Sequence, residues 1–594
     1  MIKYLSILEI RNQPYQMMNF NESKMNKLIV LALLVLLMAC QSELPVADLV
    51  IRGGTIYTMD DDSPSAEAVA IKDGLIIYVG SSSSVDAYIE AETKVIDLEG
   101  KTMTPGLIET HGHLMGLGHS ELNLDLTGIQ NYDDMVDLVA EAIEQAEPGE
   151  WILGRGWHQS KWDKSPDTEV KGFQTHEKLS AVSPDNPVYL RHASGHAGFA
   201  NAKAMEIAGV NQMSVESFSE EMTGGEIIRD SRGNPTGIFS ERAQGIIGKH
   251  IPAVDEERNV KALELAIEAC QRNGITSFHD ASAGQGTINR YESFKNDGKL
   301  GVRLYVMISG PNRELTKEWL ERGPMIDSAD HMLTVRSIKL NCDGALGNRG
   351  AWLLEEYSDM PGEFGMETLP MEYVLEVSKE ALKSGFQVCS HAIGDRANRE
   401  VLDQYEEAFN EFPGVNDHRF RIEHAQHLHP DDIPRFGEMN VIAAIQAIHM
   451  SSDRPWAIER LGEKRIVEGA YVWQKFLQTG AVVINGTDVP VEPINPIASF
   501  YASVSRKTLK GMPEGGYEPD QKLSRDEALR SYTLDAAFGE FEEDVKGSIE
   551  VGKLADFTIF SRDIMTIPEQ EILDTHVEMT ILNGRVVYES IEMP

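Results

Sequence analysis

The chain has 594 residues, of which 42% are hydrophobic and 25% are charged, values that are typical of folded globular proteins and exclude a disordered chain. The formal net charge is −40, from 54 Lys and Arg against 94 Asp and Glu, so nucleic acids and other polyanions are excluded as partners because the protein would repel them. The length allows about three to five domains, or one large barrel with additional modules.

The N-terminus has the pattern of a bacterial lipoprotein signal. Lys24 and Lys27 precede an apolar run over residues 28–39, which is too short to span a bilayer and has the length of a signal-peptide core. The run ends in Met38-Ala39-Cys40, and a small residue before a cysteine resembles the lipobox, which implies cleavage before Cys40 and acylation of that residue. The alternatives are an ordinary signal peptide and a buried apolar helix.

This signal predicts where the protein works. We interpret residues 1–39 as the signal peptide, with Met25 as the true start, and residues 40–46 as a short tether. Gln41 in place of Asp after the cysteine favours the outer membrane of a Gram-negative cell. The sequence therefore predicts a lipid-anchored protein of the bacterial cell envelope that faces the periplasm or the cell surface and contacts the membrane only through its anchor.

Short alternating strands occur at both ends of the remaining chain. They are separated by Asp73-Gly74 near the N-terminus and by Asn583-Gly584 near the C-terminus, dipeptides that are typical of two-residue hairpin turns. Neither group of strands is long enough to form a stable module alone. We therefore predict that residues 47–104 and 545–594 combine into one composite β-sandwich, with the rest of the chain inserted between its two parts.

The inserted residues alternate helical stretches with short apolar strands, which is the pattern of βα units and a parallel sheet. We predict the α/β fold class, with a (β/α)₈ TIM barrel over residues 105–544 and its active site at the carboxyl ends of the strands. A stretch rich in turn residues, about 149–249, departs from this pattern and is predicted to be a cap inserted after the first barrel strand. The eight candidate strands are 104–108, 277–279, 302–307, 337–340, 387–390, 419–422, 441–444 and 481–484.

Single polar residues recur where the candidate strands end, at positions where a barrel core should be apolar. In His111-Gly112-His113 the two imidazoles are two residues apart, so on a strand both point to one face, and Gly112 would let a metal approach the backbone. One such residue would be better explained as a buried structural histidine or a turn aspartate, but this recurrence at five strand ends favours a metal site. The candidate residues are His111, His113, Lys339, His391, His424 and Asp488.

These residues form a chemically coherent set. Imidazole and carboxylate ligands suit zinc, and also manganese, iron or nickel, and no cysteine lies at a matching position. An ion on such a set lowers the pKa of a bound water toward about 7, and Asp488 can accept its proton and pass it to the leaving group. Lys339 cannot ligate as an ammonium ion. It forms a salt bridge, for example with Asp343, or its neutral amine adds carbon dioxide and becomes a carbamate that bridges two ions.

The motifs around these residues resemble the amidohydrolase superfamily. Pro105 to His113, with the sequence PGLIETHGH, resembles its first metal motif. Five further segments look like its YtcJ-like branch: KLNCDGALG at 339–347, HAIGD at 391–395, RIEHAQ at 421–426, GTDVPVE at 486–492 and GSIEVGKLAD at 547–556. The resemblance covers nearly all residues from Asp48 to Tyr588.

The resemblance implies a metal-dependent hydrolase with a distorted (β/α)₈ barrel and a composite β-sandwich, which cleaves carbon–nitrogen bonds other than peptide bonds. The ligand pattern of the family falls on His111, His113, His391, His424 and Asp488. It places Lys339 at the bridging position, where the lysine would be carboxylated. The implied cofactor is a divalent metal, with zinc favoured, as one or two ions.

Substrate contacts are predicted from the loops. His196 lies in a segment of the insertion that resembles a family segment over the active site, where it could bind the substrate carbonyl or stabilise the oxyanion. The alternative is a structural loop histidine. Asp343, Arg349 and Asp395 follow metal-bearing strands, so they could line the substrate pocket or instead serve as helix caps and salt-bridge partners.

Our leading hypothesis is an amidohydrolase that cleaves an amide-like bond of a small molecule with metal-activated water. The alternative is an esterase, lactonase or phosphoesterase that uses the same centre. A non-catalytic binding lipoprotein is a third interpretation, which the complete ligand set disfavours. A homo-oligomer is compatible with the sequence.

Overall fold

The computed structural model describes residues 44–159, 162–192, 197–210, 225–241, 243–252, 254–347 and 349–590. The predicted signal peptide, Cys40 and His196 lie outside these residues. Within the described ranges, no helix combines the length and the apolar character that crossing a membrane requires. Three large sheets, of eight, six and eight strands, organise the chain.

Eight parallel strands form the central barrel, and their order around the sheet follows the order of the chain. The backbone N–H of Asp488, just beyond the eighth strand, donates to the carbonyl of His111 on the first strand at 2.7 Å, which brings the sheet close to closure. The predicted α/β barrel is therefore confirmed. Its strands are Leu107–Gly112, Ile275–Ala283, Arg303–Ser309, Leu333–Asn341, Gln387–Ala392, Arg421–His424, Ile442–Ile445 and Val483–Asn485.

A helix follows each barrel strand, so the strands' carboxyl ends and the helices' amino ends meet at one face. In Asp395–Glu411, for example, Ala397, Val401, Tyr405 and Ala408 recur at three- and four-residue intervals and are buried in the apolar core. The helices after successive strands are Leu114–Glu121, Gln285–Asn296, Arg313–Arg322, Met371–Ser384, Asp395–Glu411, Ile433–Glu438, Ala447–Gly469 and Pro496–Ser505.

The remaining helices connect and cover these units. Several begin at a side chain that accepts a backbone N–H, as Asp255 does from Arg258 N at 2.8 Å. They are Ser82–Val85, Tyr132–Gln145, Glu177–Val182, Ala202–Ile207, Gln244–Gly248, Glu256–Arg272, Trp473–Gln478, Arg525–Arg530 and Leu534–Gly539, with 3₁₀ turns at Asp86–Tyr88, Pro519–Gln521 and Glu569–Asp574.

Strands from both ends of the chain form a second eight-stranded sheet. Phe557–Phe560 pairs antiparallel with Thr102–Pro105, which joins the C-terminal strands to the N-terminal ones. Both predicted hairpin turns are present, and φ is positive at each of their two central residues, at 50° and 79° for Asp73-Gly74. The strands are Leu49–Tyr57, Ser65–Lys72, Leu75–Gly80, Lys94–Asp97, Thr102–Pro105, Phe557–Phe560, Val577–Leu582 and Arg585–Glu589.

The chain passes from this sheet into the barrel at Gly106. The predicted strand 104–108 is therefore wrong as one element, because Thr102–Pro105 pairs in the terminal sheet and the first barrel strand begins at Leu107. A Cβ on Gly106 would lie 2.2 Å from Thr276 Oγ1, so only glycine fits at this crossing.

A six-stranded sheet lies between the first and second barrel strands in the chain. It already includes Leu124–Asp125, so this unit begins before the predicted insertion boundary near residue 149. A short antiparallel pair, Glu169–Val170 and Phe173–Gln174, lies beside it in the sequence. The other five strands of the six-stranded sheet are Ile152–Trp157, Val188–His192, Ala197–Ala200, Gly225–Arg229 and Pro235–Glu241.

His418, which precedes the sixth barrel strand, gives a pH-dependent prediction. Its Nδ1 accepts from Phe420 N at 3.0 Å and its Nε2 lies 3.2 Å from the Met439 carbonyl, so the buried ring is held neutral. Burial lowers its pKa from 6.5 to about 4. Since the unfolded chain then binds the proton more readily, the contribution of His418 to stability is complete above about pH 6.5 and is lost as the pH falls toward about 4.

We therefore expect the free energy of unfolding to fall less between pH 7 and pH 5 in His418→Gln than in the wild type, since glutamine can donate and accept but does not titrate. Urea titrations of both proteins at the two pH values measure this difference. Equal losses in the two proteins would contradict the role assigned to His418.

Candidate metal centre

The carboxyl ends of the barrel strands bring the predicted metal residues together. His111 is the last residue but one of the first strand, His424 ends the sixth and Asp488 follows the eighth. One potential ligand atom from each of these three buried residues lies within 4.8 Å of the other two. The three residues are distant in the sequence. They become neighbours because the strands that carry or precede them end at the same face of the barrel.

His113 and His391 flank this cluster. The Nε2 atom of His113 lies 3.2 Å from Asp488 Oδ1, and the Nε2 atom of His111 lies 3.6 Å from the same oxygen. The ring centroid of His391 lies 4.4 Å from that of His424. All five residues predicted as ligands from the family pattern are therefore neighbours at one end of the barrel.

Hydrogen bonds on the outer side of three rings determine which nitrogen is available. The Nδ1 atom of His111 contacts Glu423 Oε2, that of His113 lies 3.1 Å from the Ala281 carbonyl, and that of His424 lies 2.7 Å from Gln446 Oε1. Because each of these oxygens accepts a proton, each Nδ1 carries a hydrogen, and Nε2 is the nitrogen that has a lone pair when the ring is neutral. His391 is oriented differently, with Nε2 3.3 Å from Asp343 Oδ1 and outside hydrogen-bond geometry.

This arrangement fits a cation. Asp488 Oδ1 is buried and has no hydrogen-bond partner among the described residues, although two imidazole nitrogens lie within 3.6 Å of it. In the neutral form of both rings, with the proton on Nδ1, the two nitrogens and the oxygen are all electron-pair donors. Atoms of this kind can bind one cation together, and nitrogen and carboxylate donors suit a divalent transition metal.

Electrostatics favour the neutral form of two of the histidines, whereas the nearby Asp488 carboxylate raises the pKa of His113 against the effect of burial. Burial lowers the pKa of His111 to about 4 and that of His424 well below its ordinary value. Both imidazoles are therefore neutral at pH 7, as metal binding requires.

Lys339 lies near the end of the fourth barrel strand, with Nζ 3.1 Å from His111 Nε2. Burial lowers the pKa of its amine, which favours the neutral form that carboxylation requires. The salt bridge with Asp343 that the sequence allowed is absent from the described contacts, because Asp343 instead accepts backbone N–H groups. Carboxylation of Lys339 stays a prediction.

Gly112 has a packing role that the sequence did not indicate. A Cβ at this position would lie 2.5 Å from the ring of Phe278 and 2.9 Å from Val489. The two side chains occupy the space beside Gly112, so the glycine is explained by close packing within the barrel rather than by access of a metal to the backbone.

The residues predicted to bind substrate make structural contacts. Asp343 is buried and accepts the N–H groups of Ile393, Gly394 and Trp352 at 2.8–3.0 Å, so it ties the loop after the fourth strand to the end of the fifth. Arg349 pairs with Asp359 at 2.8 Å.

Asp395 begins the helix after the fifth barrel strand. Its carboxylate accepts Leu354 N at 2.9 Å and lies 3.7 Å from His427 Nε2. Like the contacts of Asp343 and Arg349, these match the structural alternative that the sequence left open. His196 lies outside the described residues, and its predicted role stays a prediction.

The structure adds residues that sequence reasoning missed. Glu423 and Gln446 hold the rings of His111 and His424, and Glu109 accepts N–H groups from His111 at 3.0 Å and Thr487 at 2.8 Å, which links the first strand to the end of the eighth. The available signal was a charged or amide side chain within or directly after a buried apolar strand. His449 has a similar position, because it follows the seventh barrel strand.

His449 is a candidate to contact a substrate. Its ring is nearly parallel to that of His424, with the centroids 6.1 Å apart. Its Nε2 atom is buried and has no hydrogen-bond partner among the described residues. A polar group that lies beside the ligand cluster and keeps free hydrogen-bonding capacity can bind a polar substrate atom.

Comparisons with known proteins match most of the chain. A sequence model of the amidohydrolase family matches residues 94–588. The protein LONG AFTER FAR-RED 3 from Arabidopsis thaliana is 33% identical over 91% of this chain and 92% of its own length. The putative amidohydrolase YtcJ from Bacillus subtilis strain 168 is 31% identical over 91% of this chain and 99% of its own length.

A third relative and a solved structure extend the comparison. The N-substituted formamide deformylase from Arthrobacter pascens is 26% identical over 91% of this chain and 98% of its own length. The crystal structure of an uncharacterized metal-dependent hydrolase from Pyrococcus horikoshii OT3 superimposes with a TM-score of 0.69 at 27% identity, and covers 88% of this chain and 99% of that one.

Proposed function

Because this chain belongs to the amidohydrolase family, we propose that it is a metal-dependent hydrolase that cleaves a non-peptide, amide-like carbon–nitrogen bond of a small molecule. The observation that carries the proposal is that the Nε2 atoms of His111 and His113 lie 3.6 and 3.2 Å from the same buried oxygen, Asp488 Oδ1, at the carboxyl end of the barrel. The choice of bond is supported by the relative named as an N-substituted formamide deformylase, which matches nearly the full length of both chains.

The residues that would hold the ion are His111, His113, His391, His424 and Asp488, with Lys339 as a further ligand if it is carboxylated. A divalent ion in this position supplies Lewis acidity, which polarises a substrate oxygen and lowers the pKa of a water. Zinc is proposed because nitrogen and carboxylate ligands suit it.

The protein's own groups would orient the substrate and move the proton. The side chain of His113 is 38% exposed whereas that of His111 is fully buried, so the substrate reaches the cluster from the side of His113. Asp488 offers a carboxylate oxygen without a hydrogen bond, which can hold the proton from the attacking water and return it to the leaving nitrogen. His449, beside His424, can bind the substrate carbonyl.

The test is removal and return of metal. We expect dialysis against a chelator to abolish hydrolysis and to lower the thermal unfolding temperature, because a metal that binds only the folded state stabilises it. Zinc should restore both. The protein as purified is assayed against N-formyl amines, N-acyl amines, and esters of the same acyl groups.

Preferential turnover of the amides, lost with the metal and regained with zinc, is the expected result. Turnover of esters alone would show that the proposed bond is wrong while the metal centre stands. A protein that contains no metal as purified, takes up none, and still hydrolyses amides would overturn the metal-dependent function.

A further inference from the structure

A buried ion pair adjoins the candidate metal centre, on the Nδ1 side of the His111 ring. The side chains of Arg421 and Glu423, both in the sixth barrel strand, have no solvent exposure. Arg421 Nε contacts Glu423 Oε1, and Arg421 Nη2 donates to Glu423 Oε2 at 3.0 Å. Glu423 Oε2 also contacts His111 Nδ1, so one carboxylate accepts from both the arginine and the metal-ligand histidine.

The pair also joins two barrel strands. Arg421 Nη2 donates at 2.5 Å to the carbonyl of Thr110, the residue before His111 on the first strand. Glu423 directly precedes His424 on the sixth strand. The pair on the sixth strand, which carries His424, therefore contacts the first strand through the Thr110 carbonyl and through the His111 ring.

A line of polar groups continues from Arg421 to the opposite end of the barrel. Arg421 Nη1 lies 3.0 Å from His279 Nδ1, and His279 Nε2 lies 3.5 Å from Glu540 Oε2. Glu540 Oε1 lies 3.1 Å from Lys546 Nζ, which lies 2.8 Å from Glu542 Oε2. The guanidinium does not lose its proton in proteins, so this line cannot carry protons to or from the metal centre. The part of this line next to the candidate metal centre, Arg421 and Glu423, therefore acts by holding neighbouring side chains in place.

Burial of these charges needs an explanation beyond stability. A buried ion pair is generally no more stable than apolar side chains of similar volume, because two charges must be removed from water. An apolar pair on the sixth strand would pack as well in a barrel interior. It could not accept the proton of His111 Nδ1, and the ring of His111 would lose its fixed tautomer and orientation.

We propose that Glu423 and Arg421 are positioning residues that hold the His111 ring with its Nε2 lone pair toward the ion and thereby raise the affinity of the centre for a divalent metal. Glu423 acts on His111 directly, and Arg421 acts by fixing the Glu423 carboxylate. The inference rests on the proposed metal-dependent function and assigns to this chain a determinant of metal affinity outside the ligand set.

The experiment measures metal binding without substrate. Metal-free protein is titrated with zinc against a competing chelator, and with cobalt, whose absorption spectrum reports the ligand geometry. Glu423→Gln keeps the shape and one acceptor oxygen but removes the charge. We expect zinc affinity to fall by about 10- to 100-fold, the usual effect of losing a group that orients a ligand, with a changed cobalt spectrum.

Two further variants separate positioning from stability. Glu423→Gln leaves Arg421 buried without a counter-charge, so Arg421→Met combined with Glu423→Gln provides a second protein without that cost. It should fold and bind zinc as weakly as the single variant. Glu540→Gln, at the other end of the same polar line, is the matched control, which should lose stability but bind zinc with wild-type affinity.

Each outcome has a distinct meaning. Wild-type zinc affinity in a folded Glu423 variant, single or double, would overturn the inference, as would an equal loss of affinity in Glu540→Gln. If the wild-type chain binds zinc tightly but hydrolyses no amide, the proposed function fails while the affinity comparison still tests the positioning role.

Discussion

Asp488→Asn is expected to reduce kcat/KM for the best amide substrate by about 10²- to 10⁴-fold, the usual contribution of a group that transfers protons. Asparagine removes both the charge and one acceptor oxygen at the centre of the cluster. The backbone position should persist, because Asp488 has a φ of 57° and asparagine tolerates this left-handed conformation. The hydrogen bond from its backbone N–H to the His111 carbonyl, at 2.7 Å, does not involve the side chain.

The measurement combines steady-state kinetics, metal content and circular dichroism. Asp432→Asn is the matched control, because Asp432 is also a buried carboxylate but pairs with Arg399 at 2.8 Å and Arg435 at 3.2 Å, away from the ligand residues. It should keep wild-type kcat/KM even if it unfolds more easily. Hydrolysis by Asp488→Asn at the wild-type rate would contradict the proton-transfer role of Asp488.

The barrel could be predicted because its signal is local. Apolar runs such as Ile442–Ile445 and Val483–Asn485 alternate with helical stretches, and each observed strand overlaps a predicted one. The boundaries could not be predicted as well, since they depend on pairing between distant segments. The change of sheet at Gly106 depends on the approach of Thr276, which no local pattern shows.

The candidate ligands could also be predicted from the sequence, because a histidine or aspartate at the end of a buried strand departs from the expected apolar pattern. The groups that accept hydrogen bonds from these histidines could not be predicted. Glu423 lies 312 positions from His111 in the chain, and the acceptor for His113 is the backbone carbonyl of Ala281, which has no side-chain signature. Asp343 shows the reverse problem, because its position suggested a substrate contact whereas its carboxylate binds backbone N–H groups.

The structural role of the aspartate in the C-terminal motif GKLAD could not be predicted from the sequence, and the fold explains it. Asp556 ends this motif, and its carboxylate receives Arg303 Nε at 2.6 Å and Nη2 at 3.0 Å, in a pair whose side chains are only 1% and 4% exposed. Arg303 begins the third barrel strand and also donates to Asn583 Oδ1 at 2.6 Å. The pair thus joins the barrel to the sheet built from the chain ends.

Asp556→Ala is accordingly expected to lower the free energy of unfolding by about 3–5 kcal/mol, because it leaves the Arg303 guanidinium buried without its counter-charge. Urea unfolding at pH 7 measures the loss. Asp133→Ala, which removes an exposed partner of Lys178, should cost less than about 1 kcal/mol.

The double variant Arg303→Met with Asp556→Ala distinguishes the reasons for that loss. If the cost arises from the uncompensated charge, removing both charges should recover most of the stability, and the double-mutant cycle should show strong coupling between the two positions. If the double variant is instead as unstable as Asp556→Ala, the ion pair itself holds the terminal sheet against the barrel. A single variant as stable as the wild type would contradict both explanations, since burying an arginine without its counter-charge is unfavourable even when it keeps neutral hydrogen-bond acceptors.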